Sequence, residues 1–355
     1  MISVISNIKD FENLRDDWNE IYNSSKDYTI FQSFNYNYIS WNSLLKDNPS
    51  NKLYILAYYQ CEGYDKCDAI FPFYIDKKKQ LHIINDIHSD ICNCIISSKI
   101  ENSFDIIWEL YTYIENDKNI KSIFFDNIKH NSPLISYYKV FCSNAFLFSQ
   151  TEYSYIEREI SNDPIQDLSY LKAKNRKNIK CRYNESSKFT YKLFLKQDEK
   201  EFPLNEINHL VDEMTKTGIR SKDYLSEKMI KYWEHLYNKN LLEIPILYDE
   251  NNNPLSAGLI FSNTQKNEYI RWIVLYKESK HNLFNVIRHW VERNKQSYTI
   301  VNFGRGGYEY KMTLFKPNVE PLFRLMYSKT LWGNLYIFFK INISHLRKTL
   351  NTLRK

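Results

Sequence analysis

Val301-Asn302-Phe303-Gly304-Arg305-Gly306-Gly307-Tyr308-Glu309-Tyr310-Lys311 is the stretch from which the fold can be read. The chain has only 7 glycines in 355 residues, and Gly304, Gly306 and Gly307 stand together here. Glycine ordinarily makes up about 7% of a chain, so a sequence this poor in it has kept a cluster at one place. Just upstream, Tyr298-Thr299-Ile300-Val301 is rich in β-branched and aromatic residues and predicts a buried strand. A strand that runs into glycines either turns sharply with φ > 0 or lets its backbone approach a ligand closely. Tyr308, Glu309, Tyr310 and Lys311 then offer four polar-tipped side chains at a sheet end, where α/β proteins bind ligands.

Upstream of this strand, Leu283, Val286, Ile287, Trp290 and Val291 follow the i, i+3, i+4, i+7, i+8 spacing of a helix buried along one face. Before the helix, residues 244–249 and 255–262 read as strands joined by the hairpin signal Glu250-Asn251-Asn252-Asn253-Pro254. A turn at 263–267 leads into a third strand, 269–275. The first half has the same order. Strand-like runs at 53–59, 69–75 and 81–96, the last broken near Asp86, precede a helix with Phe104, Ile107, Trp108, Tyr111 and Ile114 on one face. A strand at 121–126 and a helix at 132–142 follow. At the start, residues 2–5 read as a strand, and Phe11, Leu14, Trp18, Ile21 and Tyr22 recur at helical spacing.

A helix between two strands carries the chain back, so those strands can lie parallel. The expected fold is therefore α/β: two tandem domains, 1–150 and 151–328, each a mixed, mostly antiparallel sheet flanked by helices. Residues 329–355 are expected to form a basic amphipathic tail. Phe124-Phe125-Asp126-Asn127 corresponds to Val301-Asn302-Phe303-Gly304 but lacks the glycines, which assigns the working site to the second half.

A hydrophobic content of 43% and a charged content of 25% describe a soluble globular protein long enough for two domains. Met1-Ile2-Ser3-Val4-Ile5 is followed at once by charged, helical sequence, so no signal peptide is expected. No apolar run approaches the roughly 18 residues that would span a bilayer. The cysteines at 61, 67, 92, 94, 142 and 181 show no repeated CxxC pairing, which points to reduced thiols and a cytoplasmic location. His82, His88, Cys92 and Cys94 cluster in an apolar, strand-like context without a zinc spacing, so no metal is expected.

The net charge of +6 is unevenly placed. From Pro321 to Lys355 stand Arg324, Lys329, Lys340, Arg347, Lys348, Arg354 and Lys355 with no acidic residue, and the rest of the chain is close to neutral. Leu331, Trp332, Leu335, Tyr336, Phe338 and Phe339 form an aromatic stretch ahead of the last basic residues. It is too short to span a membrane. Two readings stand: an amphipathic helix lying peripherally on an anionic leaflet, or a helix whose Trp332 and Phe338 pack on the protein. Between the halves, Asp163-Pro164 opens a helix carrying Lys172, Lys174, Arg176, Lys177, Lys180 and Arg182. That face is either simply solvated or binds an anion such as phosphate.

With these elements in order, the chain resembles the GNAT acyltransferase superfamily, whose core runs meander, helix, strand. The tandem arrangement is similar to CelD-like acyltransferases of surface-polysaccharide biosynthesis, and more distantly to FemAB-type peptidoglycan ligases. Trp18, Phe31-Gln32-Ser33 and Trp41 look like the family's N-terminal W…FQS…W pattern. Residues 126–133 (DNIKHNSP) resemble its post-strand segment, and Lys174-Asn175-Arg176-Lys177-Asn178 its basic helix. Asn302-Phe303-Gly304…Tyr310-Lys311 resembles its terminal DFG…YK signature. The likeness covers roughly residues 8–316. Two positions depart from the pattern: Asn302 replaces the usual Asp, and Lys280-His281-Asn282 replaces the usual Pro-Gly before the helix at Leu283.

The resemblance implies acyl transfer from acyl-CoA, acetyl-CoA above all, to an amine or hydroxyl of a sugar or sugar-nucleotide acceptor. Glu309 would serve as base, and Tyr310 as acid or orienting hydroxyl. Asn302 joins them at the position of the family's Asp. Lys311, Arg271, Arg176 and Lys177 would hold the substrate. Gly304, Gly306 and Gly307 would face the donor, together with Lys280 and His281 at the helix start. A FemAB-like transferase would instead take aminoacyl-tRNA, the one nucleic acid expected under any reading, with the basic helix on its phosphates. A catalytically silent binding protein is the third reading, to which Asn302 and the missing Pro-Gly both point.

Overall fold

The computed structural model describes residues 1–60, 66–157, 166–223, 225–263, 266–294 and 300–353. Cys61, Asp163-Pro164, Tyr298, Thr299, Arg354, Lys355 and part of the 263–267 turn lie outside the described residues. The chain forms two compact units, one of Met1–Thr151 with Pro321–Lys355 and one of Glu152–Glu320.

The first unit begins with β1 (Ile2–Ile5), α1 (Ile8–Asn13), α2 (Arg15–Ser24) and α3 (Phe34–Ser40). β2 (Lys52–Leu53), β3 (Ile55–Tyr58), β4 (Ala69–Phe71), β5 (Phe73–Ile75), β6 (Gln80–Ile83) and β7 (Ile95–Ile96) follow. The run expected as one strand at 69–75 is two, because Pro72 has no N–H for a ladder and divides it there. The expected strand at 81–96 survives only at its ends, β6 and β7. α4 (Phe104–Asn116) buries Ile107, Leu110, Tyr111 and Ile114, and β8 (Ser122–Lys129) returns parallel to β6. Burying such a face contributes about 1.5–3 kcal/mol per large side chain. The helix expected at 132–142 is instead two single turns, α5 (Pro133–Ser136) and α6 (Tyr138–Phe141), parted at Tyr137.

β9 (Phe146–Glu157) leads into the second unit. There, α7 (Ala173–Ser186), β10 (Thr190–Phe194), α8 (Leu204–Lys216) and α9 (Glu227–Asn238) precede the meander. The meander comprises β11 (Leu242–Tyr248), β12 (Pro254–Asn263) and β13 (Glu268–Tyr276). Its first turn is an Asx type: Asp249 Oδ1 accepts the N–H groups of Asn251 (2.9 Å) and Asn253 (2.8 Å), and Asn252 takes φ 60°. α10 (Ser279–Asn294) packs on β11, β12 and β13 and returns the chain to β14 (Ile300–Arg305), parallel to β13. The strand order in this unit is β10-β11-β12-β13-β14-β9.

β15 (Asn318–Ser328) carries the chain back to the first unit, where it pairs antiparallel with β8 from Leu322 to Ser328. α11 (Leu331–Leu353) closes the chain. The expected boundary at 328 therefore moves to 320, and the expected tail is a helix belonging to the first unit. In the first unit the strands run β15-β8-β6-β5-β2 in one sheet and β1-β3-β4-β7 in another. Both units are α/β with mixed, mostly antiparallel sheets, as the element order requires.

Candidate functional site

In the second unit the site begins where two parallel strands part. Among the described residues β13 and β14 are in register only at Glu268–Ile300, Tyr269–Val301 and Ile270–Asn302. On its other side β13 carries a bulge against β12, because Leu259 faces Ile273 while Ile260 faces Arg271, leaving Trp272 extra. A bulge bends its strand and re-aims the adjoining side chains. Beyond Ile270 the strands diverge around a cavity of about 520 Å³. Arg271 to Val274 and Tyr276 line it from β13, Phe303 and Arg305 from β14, and Ser279, Lys280, Asn282 and Leu283 from the start of α10. Tyr308 to Lys311, Arg182 and Arg220 complete the wall. Of the carboxylates and fixed cations in this lining, six are basic and Glu309 alone is acidic.

The glycine loop is built around a lysine. Gly304 (φ 73°) and Gly306 (φ 93°) occupy left-handed conformations that favour glycine. Lys311 is buried and its ammonium donates to the carbonyls of Gly304 (3.3 Å), Arg305 (3.3 Å) and Gly306 (3.0 Å). Asn302 Oδ1 accepts the N–H of Gly304 at 2.8 Å. The Gly306 N–H donates to Glu152 O at 2.8 Å, which ties the loop to β9. A Cβ on Gly307 would collide with Glu152 Oε1, so this position too is held close. The three glycines are not among the cavity-lining residues; they shape the turn that presents Phe303, Arg305, Tyr308, Glu309 and Tyr310.

Behind the cavity lies a polar stripe on α10 that the sequence reading missed. Asn285, His289 and Arg293 are buried at i, i+4, i+8 spacing, beside the apolar stripe already described. Asn285 Nδ2 donates to Pro245 O at 3.0 Å, fixing its amide against the meander. His289 Nε2 lies 2.8 Å from Glu243 Oε1, and Arg293 Nη2 donates to Glu243 Oε2 at 2.6 Å. Burial pulls His289 below its ordinary range, only partly opposed by Glu243, so the imidazole is neutral and donates from Nε2. Burial presses Glu243 upward, but the hydrogen bonds of His289 and Arg293 outweigh it and hold the carboxylate low.

Arg271 has no such partner. It is 4% exposed, its Nη2 is 3.5 Å from Asn285 Oδ1, and its Nε and Nη1 make no hydrogen bond. Burial lowers its pKa, opposed by the neighbouring Tyr310, Tyr269, Tyr191 and Glu243. A guanidinium stays protonated in proteins, so the cavity wall carries a buried cation with N–H groups to spare. Room for it comes from Gly258 on β12, where a Cβ would stand 3.2 Å from Arg271 Nη2.

No family model matches the chain, and no curated protein matches it. Solved structures do. FemX shares 9% identity with a TM-score of 0.59, over 92% of this chain and 97% of that one. L-PGS from Bacillus licheniformis shares 14% with a TM-score of 0.54, over 83% and 89%. The C-terminal domain of a protein from Agrobacterium fabrum, provisionally named a lysylphosphatidylglycerol synthetase, shares 9% with a TM-score of 0.57, over 94% and 96%. The fold is GNAT-like.

Within this GNAT-like fold the expected site residues separate into two groups. Arg271, Lys280, Glu309, Tyr310 and Lys311 line the cavity. Burial pushes the Tyr310 hydroxyl up to about 12, with Arg271 opposing and Tyr308 adding to the shift. Glu309 is exposed at the cavity edge, and Lys280 is exposed and paired with Glu278 at 2.9 Å. Asn302, His281, Arg176 and Lys177 do not line it. Asn302 is buried and spends its carbonyl on the glycine turn, which corrects its grouping with the catalytic candidates. Lys311 lines the cavity and also anchors the loop, its ammonium donating to three carbonyls. Arg176 Nη1 donates to the carbonyls of Ser169 (3.1 Å) and Leu171 (2.5 Å), fastening the start of α7. Lys177 is exposed. A second hollow of about 340 Å³ joins Asn175, Asn178 and Arg182 of α7 to Glu309 and Tyr310. The sequence does not mark Arg220 and Arg305 as cleft residues, because a single arginine in a turn carries no periodic signal.

The first unit of the GNAT-like pair shows what becomes of the same gap without glycines. β6 and β8 are in parallel register only at Gln80–Ser122 and Leu81–Ile123. Past that point the chain fills the space itself. Asn127 takes φ 56° at the position of Gly304, and its Nδ2 donates to Asp86 O (2.9 Å) and Ser89 O (3.1 Å). Cys92 N donates to Asn127 O at 2.9 Å. The W…FQS…W pattern serves this plug. Trp18 Nε1 donates to Gln32 O (2.8 Å), and Gln32 Nε2 to Ile91 O (2.8 Å). Asn85 Nδ2 reaches Tyr36 (3.1 Å) and Ser40 (3.0 Å). His82 pairs with Asp86 at 3.2 Å, and among the described residues no group of three His, Cys, Asp or Glu could hold a metal.

Proposed function

We propose that this protein is a transferase that moves an acyl or aminoacyl group from an activated donor to an amine or hydroxyl of an anionic acceptor, in the cavity between β13 and β14. The observation that carries this reading is the unpaired, buried guanidinium of Arg271 in the gap of a GNAT-like sheet. Burying a charge without a partner costs several kcal/mol, so the fold retains it for a partner it does not itself supply. A phosphate or carboxylate on donor or acceptor meets that need bidentately.

The β14-facing N–H groups of β13 beyond Ile270 can take an extended donor arm as an added strand and polarise its carbonyl. The acceptor's amine or hydroxyl attacks the carbonyl carbon and passes its proton to Glu309. The bond to the leaving group then breaks, and Tyr310, protonated at neutral pH, protonates the departing atom. Acyl-CoA, with acetyl-CoA first, is the donor we favour, and a sugar or sugar nucleotide of surface-polysaccharide biosynthesis the acceptor. Aminoacyl-tRNA is the second reading. Lys174, Lys177 and Lys180 stand exposed on α7, and the hollow at Arg182 leads to Glu309, an approach suited to RNA phosphates.

The test is single-turnover transfer from labelled acetyl-CoA and from aminoacyl-tRNA to a panel of amino sugars and sugar nucleotides. We expect turnover with one donor class, lowered at least about a hundredfold in Tyr310→Phe. Donor binding without turnover in any combination would favour a silent binding protein, and Tyr310→Phe at full rate would remove Tyr310 from the chemistry.

A further inference from the structure

α11 is amphipathic in the wrong sense for a helix that packs on its own protein. Among its described side chains α11 buries Asn334 and Ile337, and Asn334 holds the Ser328 backbone by accepting its N–H and donating to its carbonyl, both at 2.8 Å. Facing away are Leu331, Trp332, Leu335, Tyr336, Phe339 and Ile343. Trp332 is 81% exposed, Tyr336 65% and Phe339 60%. At about 100° per residue these six fall within about 140° of arc, and Asn334 and Ile337 lie on the opposite side. The helix is thus fixed by a narrow polar-and-apolar seam and turns a broad aromatic face outward. Of the two residues expected to pack on the protein, Trp332 faces outward, whereas Phe338, 48% exposed, keeps a tilted ring contact with Phe146.

We infer that α11 is a docking element for an anionic lipid bilayer surface, with its aromatic face in the headgroup region. Three observations select this occupant. Charge is the first: Lys340, Arg347, Lys348, Arg354 and Lys355 accompany or follow the aromatic stretch with no acidic residue from Pro321 on, so the segment complements an anionic leaflet, while Arg324 is spent on Asp126 and Lys329 on the carbonyls of Ile114, Glu115 and Asp117. Composition is the second. Trp and Tyr, with polar tips on apolar rings, favour the membrane–water boundary, whereas a second copy of the helix would want a narrow seam of aliphatic residues. Length is the third. The apolar face from Leu331 to Ile343 runs about 20 Å at 1.5 Å per residue, short of the roughly 30 Å hydrocarbon core. Among the described residues no helix is long and apolar enough to cross a membrane. Such a helix lies on the surface.

The experiment is flotation of the full chain with vesicles of phosphatidylcholine alone or with about one-third phosphatidylglycerol, at low and high salt. We expect flotation with the anionic vesicles at low salt, at least about tenfold less with phosphatidylcholine alone, and loss at high salt. Trp332→Ser with Phe339→Ser should abolish it while thermal melting and the circular-dichroism spectrum stay unchanged. Absence of flotation with anionic vesicles would overturn the inference. So would equal flotation of the double variant, equal binding to both vesicle types at high salt, or a dimer by light scattering that the double variant converts to monomer without any vesicle binding.

Discussion

Arg271 is where the account is most exposed to test, because a buried charge can be judged by two independent measurements. A residue retained for packing destabilises the protein when replaced. A residue retained for a ligand, at a cost to the fold, does not. Arg271→Gln should leave the melting temperature unchanged or raised, while weakening binding of an anionic ligand tenfold to a hundredfold, the equivalent of about 1.5–3 kcal/mol for a charge-assisted hydrogen bond. Thermal melting and titration calorimetry check the two halves of that statement. Marked destabilisation with unchanged binding would make Arg271 structural. In the sequence, Arg271 stands out as a charge in an apolar strand, so its place in the cleft was legible. That Lys311 holds the glycine loop was not, because a lysine after glycines looks alike whether it points to a ligand or folds back on three carbonyls.

At the scale of elements, α10 shows why half of the site could be read and half could not. Its apolar stripe follows helical spacing and announces a buried face. Its second stripe, Asn285, His289 and Arg293, has the same period but reads as solvated because the residues are polar. Pro245 O, 40 positions from Asn285, and Glu243, 46 positions from His289, make their burial tolerable. β9, β10 and β15 were also unread, their sequences lacking turn signals or clean alternation to mark them, and so were α8 and α9, although Ile207, Leu210, Val211 and Met214 carry helical spacing in α8. The Glu243–His289 pair makes a pH prediction. His289 is held neutral in the fold, whereas in the unfolded chain it takes up a proton as pH falls through about 6.5. Its contribution to stability is therefore complete above about pH 6.5 and is lost as pH falls toward the lower folded value. Glu243, also lowered, adds a loss of the same sign only below about pH 4.3. Each proton of difference gives at most about 1.4 kcal/mol per pH unit. His289→Gln should flatten the decline in melting temperature between about pH 7 and pH 5. An unchanged slope would mean that His289 titrates alike in both states.

On the scale of the whole molecule, one architecture occurs twice, and the cavity of about 520 Å³ lies in the second copy. The element order made the repeat legible, and the glycines made the second copy the expected site. The plug in the first copy was not legible, since it depends on Asn127, Asn85 and Gln32 meeting across distant stretches of chain. Those polar contacts join the stretches of chain around the first gap, whereas in the second the Arg271 guanidinium stands beside a cavity of about 520 Å³ with Nε and Nη1 unsatisfied. The central claim, that the second gap is the transfer site, is tested most directly by hydrogen exchange measured with and without acetyl-CoA, and again with aminoacyl-tRNA. With the true donor, protection should appear at residues 271–283 and 303–311 and not at 81–93 or 122–129. Protection confined to the first unit, or none with either donor, would contradict it.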